Sequence, residues 1–402
     1  MVSLDSAYSR PGGMTRRERR ERRQAMELRN KNALLALIFP VMIAAKLMVA
    51  YILPDNYFYD NTRILKMTNY TLGFTLTETT QEWEGDYRTA SDLFAKLNFA
   101  NLTTMLDWSI CLGIIGTALV LFMVLRADAP DLLQSLFILA TVGLLNIYIF
   151  NIGKDIIQFA FFFAVYLVLL IPLHNSLIKA LASAGILYYE STFFREYYIL
   201  IAALILAVYV VLVLFRRRQR LGFGSMIGIL VILYAGIYAM MLMAQRMMPD
   251  EYNQMIGLRS GYNTAFGESA DSATLIRNWI PGDGLLVFMA NYVFNAFRML
   301  IPLELALKGA YYLPFFAFQC MITFYMVNLI RQINNIDDPN LFIALCVYIG
   351  YALASFIFEP DFGSWTRHES ATFPVLLLLV CNRYQKIPLS QEERMLQEVH
   401  IR

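Results

Sequence analysis

"LFIALCVYIGYALASFIF", residues 341–358, is followed by "EPDFGSWTRHESATFP", residues 359–374, and then by "VLLLLV", residues 375–380. The first piece carries no charge. As a helix rising 1.5 Å per residue it spans roughly 27 Å, close to the hydrocarbon core of a bilayer at about 30 Å. The second piece places Glu359, Asp361, Arg367, His368 and Glu369 within a single short stretch. Two apolar segments joined by a charged corner read as two membrane helices meeting at an interface. The corner is then where water, and any polar chemistry, comes into reach.

The rest of the chain agrees with that reading. Of 402 residues 58% are hydrophobic and 16% are charged, where a soluble protein carries roughly 25% charged residues. Mean hydropathy is +0.50. The composition predicts an all-α integral membrane protein. The net charge of +2 says little, because placement of charge governs topology. Cys111, Cys320, Cys346 and Cys381 lie in or beside apolar runs without a C-x-x-C pair, so they read as small buried side chains. His174, His368 and His400 are far apart, and no metal site, P-loop or dinucleotide fingerprint appears. No cofactor is expected, and a nucleotide-driven pump is disfavoured.

Organisation follows from charge. The segment "TRRERRERRQAMELRNKN", residues 15–32, precedes the first apolar run, which is long enough to remain as an anchor. Arginines flanking a first span hold that end in the cytosol, and this topology role is preferred over nucleic-acid binding. Spans are expected at 33–53, 108–126, 132–150, 156–173, 197–215, 225–245, 311–330, 341–358 and 370–382. "RRRQR" at 216–220 and the tail from Cys381 both look cytosolic. They agree only if 176–194 crosses as a short helix and 284–302 does not fully cross. The expectation is about ten transmembrane helices, both termini inside, with two large outer loops at 54–107 and 246–310. The domains read as a basic cytosolic arm, 1–31, a polytopic membrane domain, 32–383, and a cytosolic tail, 384–402. Loop 54–107 suits short amphipathic helices on the outer surface.

Several charged residues then fall on one outer face. Lys154 and Asp155 open an apolar helix; Arg195 and Glu196 sit at an aromatic corner; Arg63 and Asp60 follow the first span. Arg277 lies in the second outer loop, and Arg298 in an apolar stretch where an unpaired cation is costly. Arg367 has a permanent charge and a fork suited to phosphate. His368 exchanges protons near neutral pH, and Asp361 or Glu359 can orient it or take a proton. Glu369 reads as a cap for the following helix.

Four stretches carry a resemblance: "YFYDNTRIL" at 57–65, "GKDIIQF" at 153–159, "FFREYYIL" at 193–200, and "DFGSWTRHES" at 361–370 with "FP" at 373–374. In order and character they resemble the Wzy-type polysaccharide polymerases, membrane enzymes that join the repeat units of O-antigen, capsule and exopolysaccharide. The resemblance implies a GT-C-like helical bundle in the bacterial cytoplasmic (inner) membrane. It implies a glycosyltransferase acting on undecaprenyl-diphosphate-linked glycans at the outer face, by an inverting transfer without a nucleotide sugar. A flippase and a chain-length regulator are the implied partners. On this reading Arg367, Lys154, Arg195, Arg298, Arg63 and Arg277 are candidates to hold the lipid diphosphate, and His368 and Asp361 to assist the attacking hydroxyl. A flippase for the same lipid-linked glycans and an O-antigen ligase-like transferase are the competing readings. A flippase should show internal repeats and charges near mid-membrane, and no repeat is visible.

Overall fold

The computed structural model describes residues 16–75, 85–216, 223–247, 274–282 and 284–386, with a few isolated positions between 249 and 257. Residues 258–273 of the second expected outer loop, most of "RRRQR" and the tail beyond Lys386 lie outside the described residues.

The described chain is helical. Its first helices are α1 (Arg16–Tyr51), α2 (Tyr59–Thr71), α3 (Asp86–Leu97), α4 (Met105–Arg126) and α5 (Leu132–Leu144). Then come α6 (Lys154–Leu170), α7 (Ser176–Ser191), α8 (Tyr198–Arg216), α9 (Phe223–Met247) and α10 (Leu285–Leu300). The last are α11 (Leu313–Arg331), α12 (Pro339–Phe358), α13 (Phe362–Ala371) and α14 (Phe373–Val380). Among the described residues the one strand-like pairing is an antiparallel bridge between Leu275 and Asp361.

Among the described residues seven helices are long and apolar enough to cross a membrane: Ala25–Tyr51, Met105–Arg126, Leu132–Ile149, Tyr198–Arg216, Ile227–Met247, Ala310–Arg331 and Pro339–Phe358. The expectation of about ten counted further apolar stretches. Of these α6 has 17 residues, α7 has 16 and α14 has 8, short of the roughly 20 that a full crossing takes.

Helix starts are written locally. Thr104 accepts from the Asp107 amide while Asp107 accepts from the Thr104 amide, a reciprocal cap that satisfies two orphan donors of α4. Asp131 and Gln134 do the same for α5. Asp338 caps α12 ahead of Pro339, where the missing proline N–H costs nothing.

Long-range contacts sort the helix termini into two ends. At one end Lys31 Nζ donates to the carbonyls of Leu125 and Ala127 at the close of α4. Gln134 donates to the Val380 carbonyl, and Lys386 pairs with Glu27 at 3.0 Å. Lys179 there donates to the Leu169 carbonyl and to Asn340. The opposite end gathers the starts of α6 and α13, the close of α12 and the α7–α8 corner. The segments before and after α10 also return to this second end, since Leu275 bridges Asp361 and the Tyr311 and Tyr148 side chains interact.

Helix α12 runs through the middle and buries residues all round its circumference, as a helix hydrophobic on every face does. Gly350 makes this possible. A Cβ there would stand 2.8 Å from the Ile205 backbone nitrogen, so α8 and α12 approach at a distance only glycine allows. Beside them α5 ends in a π-helical turn, Leu145–Ile149. Buried Lys46 of α1 donates to the carbonyls of Asn146 at 2.7 Å and Phe150 at 2.8 Å, pairing groups this turn would otherwise leave open.

A smaller apolar cluster roofs the second end. Ile64 of α2, Ala90 and Phe94 of α3, Trp108 of α4, Ile152, Ile157 of α6 and Phe194 pack together. Helices α2 and α3 are thus the short helices expected in loop 54–107.

Candidate functional site

The site begins with "GKD" at 153–155. Asn61 of α2 donates to the Ile152 carbonyl at 2.7 Å, which docks α2 on the start of α6. A Cβ on Gly153 would meet that Asn61 amide at 2.4 Å, so glycine is needed for the approach. Lys154 then turns outward, 3.7 Å from Asp60 and over the Tyr87 ring at 3.9 Å. Asp155 turns inward. Gln158, three residues on, shares its helix face.

Arg195, at the corner before α8, reads that face with both arms of its fork. Nη2 meets Asp155 Oδ1 at 3.0 Å, and Nη1 donates to Gln158 Oε1 at 2.9 Å. The residue is 5% exposed. Glu190 of α7 lies within electrostatic reach of Arg195. It is fully buried, and neither of its carboxyl oxygens finds a hydrogen-bond donor.

The corner after α12 supplies the other half. Asp361 caps α13, its Oδ1 accepting from the Ser364 amide at 2.8 Å. One turn further, Arg367 Nε stands 2.9 Å from Asp155 Oδ2 and His368 Nε2 stands 3.2 Å from Asp155 Oδ1. Neither N–H points well at its oxygen, so both are charge contacts more than hydrogen bonds. On its other side His368 Nδ1 lies 2.6 Å from Glu359 Oε1. Glu359 Oε2 accepts from the Ser364 hydroxyl at 2.8 Å, and Gln158 donates to the His368 carbonyl at 2.9 Å.

This geometry favours the charged form of His368. A ring between two carboxylates is favoured with both nitrogens protonated. Burial alone would lower its pKa, but Glu359 and Asp155 outweigh burial and raise it above the usual histidine value. For Glu359 burial alone would raise the pKa. The facing His368, the Ser364 hydroxyl and Arg195 outweigh it and hold the pKa down. The directly paired groups are therefore Arg195, Arg367 and a His368 favoured in its charged form, on two carboxylates, Asp155 and Glu359. Of the two arginines Arg367 is the one that reaches water, with its side chain 27% exposed against 4% for Arg195.

Other candidates are placed elsewhere. Arg298 was a candidate, with Lys154 and Arg195, to hold the lipid diphosphate. Its guanidinium instead pairs with Glu304 at 2.6 Å, donates to Asn295 at 2.8 Å and to the Arg277 carbonyl, and stands 4.9 Å from the Trp279 ring centre. It clamps the 277–279 segment to α10, and at Arg277 the clamped group is the backbone. Arg63 lies over the Tyr59 ring at 3.9 Å on α2. Asp361 spends its carboxylate on the helix cap and on Thr274 at 3.4 Å, and does not touch His368. Glu369 does not cap α14. It is fully buried and accepts from Tyr348 and Gln319.

Asp155, Gln158 and Glu359 carry more of the site than sequence reasoning assigned to them. The readable signal was the D-x-x-Q spacing at 155–158, which aligns two polar groups on one face of an otherwise apolar helix. Among the described residues no group of three or more His, Cys, Asp or Glu is arranged to hold a metal ion. No family model matches this chain, and neither does any curated protein or solved structure.

Proposed function

We propose that this chain is a membrane-embedded glycosyltransferase that polymerises undecaprenyl-diphosphate-linked repeat units on the outer face of the cytoplasmic membrane. One observation carries the reading. Three of the stretches that resemble the Wzy-type polymerases contribute Asp155, Arg195, and Arg367 with His368 to a single charged network, and the fourth packs over it through Asn61.

The chemistry suits that network. A lipid diphosphate is a stable leaving group and needs cations more than a general acid. Arg367 offers a fork to it from the exposed side. Arg195 and His368, fixed by Asp155, Gln158 and Glu359, add positive potential from below without moving. Preorganised charge of this kind stabilises the negative charge that builds as the anomeric carbon–oxygen bond breaks. In this reading His368 acts as a buried cation, and Asp155 and Glu359 hold the cations in place.

The test is a strain deleted for this gene, examined for surface glycan and lipid-linked intermediates. Loss of long chains with single repeat units still reaching the outer face supports polymerisation. Repeat units trapped on the cytosolic face would favour a flippase, and normal polymer left unattached would favour a ligase. In complementation, Arg367→Ala should cost about a hundred- to a thousandfold in rate, the range seen when one transition-state donor is removed.

A further inference from the structure

The charged network commits its own carboxylates. Asp155 meets Arg195, Arg367 and His368, while Glu359 meets His368 and Ser364. Their side chains are only 12% and 7% exposed. A carboxylate held by cations is a weak proton acceptor, and a general base has to reach the hydroxyl it deprotonates. Neither residue meets both needs.

Asp60 is placed differently. It stands in the first turn of α2 with its side chain 34% exposed. Oδ1 accepts from the Tyr87 hydroxyl at 2.7 Å, and Oδ2 lies 3.7 Å from Lys154 Nζ, too far for a hydrogen bond. Its orientation is thus set by Tyr87 while Oδ2 keeps its lone pairs. Asp60 is also within electrostatic reach of Arg367, the exposed arginine of the network. Lys154, which Asp60 approaches, is the chain neighbour of Asp155, which holds Arg367 at 2.9 Å, so a partly exposed carboxylate lies near a partly exposed guanidinium. Asp86 at the start of α3 is the rival carboxylate. Burial raises its pKa while Arg195 and Lys154, within electrostatic reach, lower it, so it is the control for Asp60.

We infer that Asp60 is the general base of the site and marks its acceptor side, taking the proton of the incoming sugar hydroxyl while Arg367 receives the departing diphosphate. The inference rests on the transferase reading above. The balance is simple. The hydroxyl O–H bond breaks and its proton passes to Asp60 Oδ2. The oxygen forms a bond to the anomeric carbon of the donor glycan. The bond from that carbon to the diphosphate oxygen breaks, and its electron pair leaves with the lipid diphosphate. Asp60 then returns its proton to water.

The experiment uses the full-length protein purified into lipid nanodiscs, with lipid-diphosphate-linked repeat units as donor and acceptor. Asp60→Asn keeps the shape and the Tyr87 contact. It should lower kcat by about a hundred- to ten-thousandfold, the usual share of a general base, with KM for the donor little changed. Asp60→Gly should be equally slow and should recover part of its rate in added formate, which supplies the missing carboxylate. That recovery also shows the variant is folded. The inference is overturned if Asp60→Asn stays within about tenfold of wild type, or if formate fails to raise Asp60→Gly while folding is intact by size exclusion. It is also overturned if Asp86→Asn, and not Asp60→Asn, produces the loss. Failure of the transferase reading looks different, because wild-type protein would then release no lipid diphosphate and both conclusions would fall together.

Discussion

Asp155→Asn changes almost no volume and removes one charge, and that charge faces Arg195 at 3.0 Å, Arg367 at 2.9 Å and His368 at 3.2 Å. The asparagine oxygen can still accept one hydrogen bond, but its amide group must then point at another cation. Removing one partner of a buried ion pair costs about 3–5 kcal/mol, because the other charge stays buried and unpaired. Some water reaches this site, since the Asp155 side chain is 12% exposed, so the lower end, about 3 kcal/mol, is expected. That is a little over a hundredfold in the folding equilibrium. The measurement is denaturant-induced unfolding in micelles for Asp155→Asn, Arg367→Gln and the double variant. The double variant restores the charge count, so it should be more stable than the sum of the singles by about 0.5–3 kcal/mol. If Asp155→Asn unfolds within about 0.5 kcal/mol of wild type and the double variant is simply additive, Asp155 is not the counter-ion that organises this site.

The pH window follows from the same residues. His368, its pKa raised above 6.5, contributes stability fully present below that value and lost as pH climbs through the raised value. Glu359, held below 4.5, contributes stability present above that value and lost as pH falls through the lowered one. Thermal unfolding should thus show a plateau spanning pH 4.5 to 6.5 with a loss on its high-pH side that His368→Gln abolishes; an unchanged high-pH limb in that variant would contradict the assignment. Gly350→Ala should destabilise by about 1–3 kcal/mol, since its Cβ would press on the Ile205 backbone 2.8 Å away, and wild-type stability would mean α8 and α12 are less close than described. Single cysteines in a cysteine-free background at Phe99 and at Asp337, both strongly exposed and at opposite ends of the bundle, should react with impermeant reagents from opposite sides of the membrane. Labelling of both from one side would refute the two-ended arrangement.

Much of this protein was legible without coordinates. Apolar runs of bilayer length marked the long helices, because hydrocarbon leaves the backbone no other way to pair its polar groups. "TTMLD" and "PDLLQ" carry their helix caps within four residues. The corner "EPDFGSWTRHES" stood out as a candidate site because charge between two membrane helices is costly unless it is used. Partnership was not legible. Asp155, Arg195, Glu359 and His368 meet across as many as 213 positions of sequence. Arg298, just as conspicuous on an apolar helix, is taken by Glu304 six residues away. Glu369 looks like a cap from its place before "FP", yet it turns inward to Tyr348 and Gln319. Hydropathy and capping are local properties, set by a few neighbouring residues. Which charge meets which depends on the order in which helices pack around α12, and on the face each one turns toward the centre, and no local stretch of the chain encodes either.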